Sequence, residues 1–538
     1  MRISHKSRLT TLVGAVALVA ASLSFVPAHA AAVGPLCDGK APVQTCQGTT
    51  SDGAPYVMMV PANFNGLVAL YSHGYRYNID IPAGIPVVGG YKITNTPEPV
   101  PGGNPTVANY FLGNGMAIMG SGFARQGWNL DSAIATNVEL IDTFKKKFTS
   151  TTKVVAWGSS LGGIITQTLA EKNPTLVSAV APLCMADNID AQLTMAGDFL
   201  WGLKTFFDPT IKGGNYSAGA LGNAEALGDI VKVLTVMGKL QAAVATGAWP
   251  DTSSPAGKQL AAAGIPSRSA LLLAGLMAGL PTQSAHFDSI SGPEGALKLS
   301  FPLAVSPALA VLENGANAAI LAILATQDVE LQAGGSVFDN SSTDYAARIA
   351  DSRDVYNAGL SGNTAIDAML GVLSISPRAK ATASMSKLAA TTGKINVPTI
   401  FMTGTADPIT PAGATQRIVD IYAEQFEEEK EAARQASYGG GEYKPAKSKV
   451  LTLWSVTPAS WTKFNAAGSP ITTGPAAPGT NHCNFTTANY LTAAKFMVDA
   501  ANEGKIVWNA AAMAAVRKSK GLLADPNFRA PLLKFYGE

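Results

Sequence analysis

The stretch Lys153-Val154-Val155-Ala156-Trp157-Gly158-Ser159-Ser160-Leu161-Gly162-Gly163 limits what this chain can fold into more than any other. A β-branched run leads into Gly-x-Ser-x-Gly, and a helix-like segment from Ile164 to Lys172 follows. Strand, sharp turn and helix together form the setting of a nucleophile elbow. Such a turn holds its central residue in a strained conformation and lifts one hydroxyl clear of a sheet. Glycines at 158 and 162 let strand and helix approach where a side chain would collide. Ser160 is therefore the candidate nucleophile. Gly-x-Ser-x-Gly also arises by chance, so the rest of the chain must supply a base, an acid and an oxyanion hole.

The first residues look like a targeting segment. Arg2, Lys6 and Arg8 precede an apolar run from Leu12 to Ala21, and Ala28-His29-Ala30 has the small-x-small form of a cleavage site. A Sec-type signal peptide over 1–30 is expected, with a secreted, periplasmic or extracellular product. The apolar run is short against the roughly 20 residues that span a bilayer. No later stretch reads as long and apolar enough to span, so no stable membrane insertion is expected after cleavage. The leader takes three of the 39 Lys and Arg, against 37 Asp and Glu. The remainder is near neutral, without the basic field that binding nucleic acid requires.

Cys37, Cys46, Cys184 and Cys483 are an even set in an exported chain, which points to disulfides with three possible pairings. The local pair Cys37–Cys46 is favoured, leaving Cys184 with Cys483. A zinc site is not expected, because no Cys-x-x-Cys is present. No metal and no cofactor are expected.

Strand-like runs at Pro55 to Pro61, Leu67 to Tyr71, Met116 to Met119 and Val177 to Leu183 alternate with helical segments such as Leu130 to Phe148. Near-continuous apolar strands of this kind imply a mostly parallel central sheet flanked by helices, an α/β class. Residues 76–107 are rich in Pro, Gly and Asn and read as a long surface loop. From 187 to 389 strand signals fade, and Ala224 to Leu240, Ser269 to Gly279 and Asn317 to Leu331 show helical periodicity. This is expected to be a large helical cap inserted between two parts of one core, 31–186 and 390–538. The sheet pattern resumes at Val397 to Gly404. A helix from Ala412 to Ser437 follows, and Val450 to Trp454 is the last clear strand.

A serine hydroxyl needs a base to take its proton and a third group to orient that base. Of five histidines, His5 and His29 leave with the leader. His73 follows an early strand beside a glycine, and His286 lies in the insertion. His482, on a loop after the last strand, is the expected base. Asp407, in Gly404-Thr405-Ala406-Asp407-Pro408, is the expected acid, with Asp187 and Asp190 as runners-up. An aspartate in such a turn can also be only structural. The oxyanion hole is expected from the backbone N–H of Leu161 and of Tyr75, with His73 and Gly74 supporting that loop.

At these residues the chain resembles the α/β-hydrolase superfamily. Ser-His-Gly-Tyr (72–75), Gly-Ser-Ser-Leu-Gly (158–162), Gly-Thr-Ala-Asp-Pro (404–408) and Asn-His-Cys (481–483) occur in that superfamily's order. The resemblance implies an α/β-hydrolase fold of the secreted serine esterase or lipase kind. It spans about 50–185 and 390–510 and excludes the insertion. Tannases and feruloyl esterases are similar in placing a cysteine beside the histidine, but pair it with one beside the serine, where Ser159 stands here. Secreted tripeptidyl-aminopeptidases look similar in their Gly-Thr-x-Asp-Pro-x-Thr-Pro loop. An exopeptidase needs a cap carboxylate for the substrate's amine, and Asp187 or Asp190 would have to serve. The expected function is exported hydrolysis of a small-molecule or polymer-derived carboxylic ester, with a bulky or hydrophobic acyl or alcohol group.

Overall fold

The computed structural model describes residues 32–39, 42–292, 304–388, 390–438 and 443–537. The expected leader, with His5, His29 and the cleavage site, lies outside the described residues. Ten strands form one sheet: β1 (Val33–Cys37), β2 (Val43–Thr49), β3 (Pro55–Pro61), β4 (Leu67–Ser72), β5 (Ala117–Ser121), β6 (Lys153–Ser159), β7 (Ala179–Leu183), β8 (Thr399–Gly404), β9 (Val450–Ser455) and β10 (Leu522–Leu523). Their order is β1-β2-β3-β5-β4-β6-β7-β8-β9-β10. The run from β5 through β4 to β9 is parallel. The β1–β2–β3–β5 edge and β10 are antiparallel.

The helices of the core are α1 (Pro105–Gly113), α2 (Leu130–Lys147) and α3 (Leu161–Lys172), then, after the insertion, α12 (Ala412–Tyr438), α13 (Thr487–Glu503) and α14 (Ala510–Lys518). Between β7 and β8 come α4 (Ile189–Phe206), α5 (Gly219–Ala243), α6 (Pro255–Ala262), α7 (Ser267–Ala278), α8 (Ser306–Ala333), α9 (Tyr345–Arg348), α10 (Ala350–Val355) and α11 (Asn363–Ile375).

Both faces of the sheet are covered, as the apolar strands require. Strands β4, β5 and β7 are buried along their whole length. On one face Ile134, Ile141 and Phe144 of α2 and Ile164, Ile165 and Leu169 of α3 pack on the sheet. On the other, Val107 and Phe111 of α1 and Phe496 and Met497 of α13 close over Trp157 and Ile400. Each large apolar side chain so buried contributes about 1.5–3 kcal/mol. The insertion has its own core, built from Phe199, Leu203, Ile230, Leu273, Val311 and Ile323 among others. The described residues therefore form an α/β-hydrolase fold carrying a helical insertion.

Several elements depart from the sequence expectation. The hairpin β1–β2 was not expected; β1 is short and broken by Gly34 and Pro35, β2 is rich in polar residues, and Cys37 and Cys46 face each other across the pair in a disulfide. The region expected as loop gives way to α1, which starts at Pro105 after the cap Asn104, whose side chain accepts from Thr106 and Val107 N–H. The expectation that no segment past the leader could span a membrane is corrected. Helix α8 is 28 residues long, and its most apolar window of 18 residues has a mean hydropathy of 1.7, enough by length and composition alone. It packs against α4, α5 and α7, with 61% of its most apolar window buried within the protein.

Three buried carboxylates bind the insertion to the core. Asp328 on α8 accepts from Trp128 N–H (2.7 Å), Asn78 Nδ2 (2.8 Å) and Arg125 (2.7 Å). Burial holds its carboxyl above the usual range, against the pull of Arg125. Asp288 accepts from the backbone N–H groups of Trp461 (2.7 Å) and Thr462 (2.8 Å) in the loop before His482. Asp187, after β7, is held by Arg417 of α12 and by Tyr536.

Candidate active site

The turn after β6 has the expected geometry. Ser160 sits at φ 61° and ψ −123°, a conformation that L-residues rarely adopt. Its N–H donates to Leu183 O at 2.9 Å, and its carbonyl accepts from Gly163 N–H at the start of α3. A Cβ on Gly158 would stand 2.7 Å from Ser72 O, and one on Gly162 would be 2.0 Å from the same atom. Both positions therefore demand glycine. The neighbouring Ser159 turns its hydroxyl the other way, where it accepts from Tyr71 Oη at 3.2 Å.

His482, Asp407 and Ser160 meet at one point. His482 Nε2 lies 2.8 Å from Ser160 Oγ. His482 Nδ1 lies 3.0 and 3.1 Å from the two carboxylate oxygens of Asp407. A proton held on Nδ1 by that carboxylate leaves Nε2 free to accept from the serine hydroxyl. Asp407 is fully buried, and its own position is fixed by N–H donors from Ile409 (2.9 Å), Thr410 (2.9 Å) and Cys483 (3.1 Å). Thr410 Oγ1 donates to Asp407 at 3.1 Å and lies 3.3 Å from His482 Nδ1. Thr410 was not singled out from the sequence; its place three residues after the acid, between Ile409 and a proline, is the one local hint.

The loop carrying His482 is held from both sides. Ala406 and Thr480 form a parallel bridge, and Ala406 N–H donates to Gly479 O at 2.8 Å. Asn481 and Cys483, flanking the histidine, both have positive φ. Cys483 is disulfide-bonded to Cys184, which follows β7, so the bridge joins the histidine loop to the sheet. Asp407, His482 and Cys483 place metal-ligand atoms within 4.8 Å of one another. The sulfur is taken by Cys184 and the imidazole nitrogens face Asp407 and Ser160, so no thiolate is on offer there.

The loop after β4 lies against the elbow. A Cβ on Gly74 would be 3.2 Å from both Ser159 O and Ser160 Cβ. His73 is buried, packs its ring at a tilt against Phe123 with centroids 4.7 Å apart, and holds its Nδ1 2.7 Å from Gly74 O. Burial, helped by Arg76, lowers its pKa to about 4, so it is a neutral donor to the loop. Leu161 opens α3, where the first N–H groups have no partner within the helix. Leu161, Tyr75 and Ser160 line one cavity.

That cavity is a slot of about 80 Å³ between the core and the insertion. Ile189, Leu193, Met195 and Phe199 of α4, Ala318 and Ala322 of α8, and Pro408 to Thr410 complete it. Among the described residues that line it, none is charged. Trp128 and Gln192 also line it, and neither was picked out from the sequence. The other candidates lie elsewhere. Asp187 is occupied by Arg417 and Tyr536, and Asp190 is exposed in the first turn of α4. His286 pairs with Glu313 at 2.7 Å in a larger cavity of about 710 Å³ that Ser160 does not line.

No protein-family model and no curated protein matches this chain. Solved structures do match. Feruloyl esterase B from Aspergillus oryzae is 12% identical, with a TM-score of 0.35, over 86% of this chain and 81% of its own. The Pyrococcus furiosus esterase Pf2001 is 11% identical, with a TM-score of 0.22, over 30% of this chain; the match spans 58% of the esterase. An acylaminoacyl peptidase from Pyrococcus horikoshii is 12% identical, with a TM-score of 0.21, over 32% of this chain and 26% of its own. Likeness at this level concerns the fold and carries nothing about the reaction.

Proposed function

We propose that this α/β-hydrolase-fold protein is an exported serine hydrolase of carboxylic esters. Ser160 attacks the ester carbonyl while His482 takes its proton, and Asp407 holds the imidazole in the required tautomer. The oxyanion is met by the N–H groups of Leu161 and Tyr75, each such donor being worth about 3 kcal/mol of transition-state stabilisation. His482 then protonates the leaving alcohol. Water, activated by the same histidine, releases the acid from Ser160. Export is supported by two disulfides, which persist in oxidising compartments.

The observation that carries the ester reading is the uncharged lining of the slot beside Ser160. An exopeptidase would need a carboxylate there for the substrate's ammonium group, and the nearest sequence candidate, Asp187, is already paired with Arg417. The slot's small volume favours a slender, hydrophobic group on one side of the ester over a bulky one. The test sets p-nitrophenyl esters of graded chain length against aminoacyl- and tripeptidyl-nitroanilides, with Ser160→Ala as control. Ester turnover that vanishes in Ser160→Ala is expected. Turnover of the anilides alone would overturn the ester reading, and activity surviving in Ser160→Ala would overturn the mechanism.

A further inference from the structure

Two further cavities in the insertion adjoin each other, and Ser160 lines neither. One, of about 380 Å³, is lined by Lys204, Lys212, Arg378 and Lys380. The other, of about 410 Å³, is lined by Pro209, Pro255, Ala256, Val372 and Ile375. Trp201, Lys204 and Pro377 line both, so the two are halves of one groove. One half is basic and the other is mostly apolar.

The basic half is organised by rings. The Arg378 guanidinium lies over Trp201 at 4.9 Å and over Tyr345 at 4.7 Å, and these two rings stack with 14° between their planes. Its Nη1 reaches the carbonyls of Asn340 and Thr343 only at 3.4 and 3.5 Å. A guanidinium has five N–H donors, so most of its donors are free among the described residues. Lys204 Nζ makes one long contact, to Lys212 O at 3.4 Å. Lys380 is exposed. The carboxylates nearby are already engaged. Lys212 pairs with Glu225 at 2.6 Å. Glu330, the one acid lining this half, accepts from the N–H groups of Asn215 (2.6 Å) and Tyr216 (2.8 Å). Asp339, the carboxylate that Lys380 influences, accepts from Ser341 and Ala381 N–H. Lys204, Arg378 and Lys380 thus line one concave wall without a carboxylate in ion-pair reach among the described residues. Like charges gathered in a cleft repel one another and concentrate a counter-ion there.

The apolar half has room for a chain. Its volume of about 410 Å³ is more than twice the roughly 150 Å³ that holds benzene. Ile375, at the end of α11, is 82% exposed, so this wall gains by being covered. An anionic head joined to an aliphatic chain meets both halves at once. A concave wall of this size receives a single molecule.

We propose that this groove is a second ligand site, separate from Ser160, for an amphipathic carboxylate: its head sits among Lys204, Arg378 and Lys380, and its aliphatic chain lies along Pro255, Val372 and Ile375. The choice of a carboxylate among anions rests on the serine-esterase reading above, in which every turnover releases one. The charges and the apolar wall by themselves require an anion with a chain.

The test is isothermal titration calorimetry of the full chain with octanoate, octan-1-ol and octyl phosphate. Saturable binding of one octanoate per chain is expected, at least about tenfold tighter than octan-1-ol. Raising the salt from about 0.02 to 0.3 M should weaken octanoate about threefold or more. Lys380→Glu and Ile375→Asp should each raise the octanoate Kd at least about fivefold; both side chains are exposed, so both variants should fold. Ser160→Ala should bind octanoate as the wild type does. No saturable octanoate binding, or octan-1-ol binding as tightly, overturns the groove. A Kd that shifts in Ser160→Ala and in neither groove variant places the ligand at the nucleophile and overturns it too. Octyl phosphate binding without octanoate binding overturns the choice of a carboxylate. Vesicles of phosphatidylcholine and phosphatidylglycerol should leave the protein in the supernatant on sedimentation; co-sedimentation lost in Lys380→Glu would make the groove a membrane contact instead. None of these measurements uses turnover, so a failure of octanoate to bind counts against the groove, and a failure of ester hydrolysis counts against the esterase reading.

Discussion

At the scale of single residues, two adjacent serines divide the work by backbone alone. Ser160 takes the positive-φ position and faces His482, while Ser159 ends β6 and bonds Tyr71. Thr410 touches both Asp407 and His482, so Thr410→Val should lower kcat by about tenfold with little change in KM, measured on a short p-nitrophenyl ester; an unchanged kcat would contradict that positioning role. His73 makes a pH prediction. Its folded pKa of about 4 lies below the unfolded value near 6.5, so the unfolded chain binds the extra proton between them. Stability is complete above pH 6.5 and falls as the pH drops toward 4, by on the order of 3 kcal/mol. Urea midpoints at pH 7.5 and 4.5 should show that loss in the wild type and a smaller one in His73→Asn. An equal loss in both would assign it to other groups. Ser160, Asp407 and His482 were readable because each carries its context within a few residues. Trp128 and Gln192 were not, since what they share is a cavity assembled from distant segments.

At the scale of elements, the histidine loop is held by its bridge to Ala406 and by two attachments to more distant parts of the chain. One is the Cys184–Cys483 bridge, which closes a separation of 299 residues. Replacing both cysteines with serine should cost about 2–5 kcal/mol of stability and lower kcat more than it raises KM, because the base is loosened while the slot is intact. The other is Asp288, whose carboxylate gathers N–H groups from Ile290, Ser291, Trp461 and Thr462. Burial opposes its charge, but these donors prevail and hold its pKa well below the usual carboxylate range. Asp288→Ala should cost about 2–4 kcal/mol and speed hydrogen exchange at 461–462; unchanged exchange there would show that the loop is held by other means. The central strands were legible because burial on both faces leaves a continuous apolar run. Edge strands β1, β2 and β10 left no such trace: β1 is five residues interrupted by Gly34 and Pro35, β2 is rich in polar residues with Cys46 its one fully buried position, and β10 has only two residues.

At the scale of the whole molecule, the insertion and the sheet are bound at several buried points. Asp328 meets Asn78, Arg125 and Trp128, Asp288 meets the 460–462 loop, and Arg417 meets Asp187. The two parts should therefore unfold in one calorimetric transition, and two well-separated transitions would contradict that coupling. The presence of a large helical insertion was legible from the loss of strand signals after 187. Its slot was not, because helical periodicity reports that a face is buried without saying against what. The sequence suggested a bulky or hydrophobic ester group; the slot that α4 and α8 leave beside Ser160 is small and mostly apolar. The central claim, that Ser160 is a nucleophile activated by His482, is tested most directly by covalent labelling. The purified protein is treated with a fluorophosphonate and examined by intact mass and peptide mapping. One adduct per chain is expected, on the peptide at Ser160, absent in Ser160→Ala and strongly slowed in His482→Ala. An adduct on Ser159, or labelling of His482→Ala at the wild-type rate, would contradict the account.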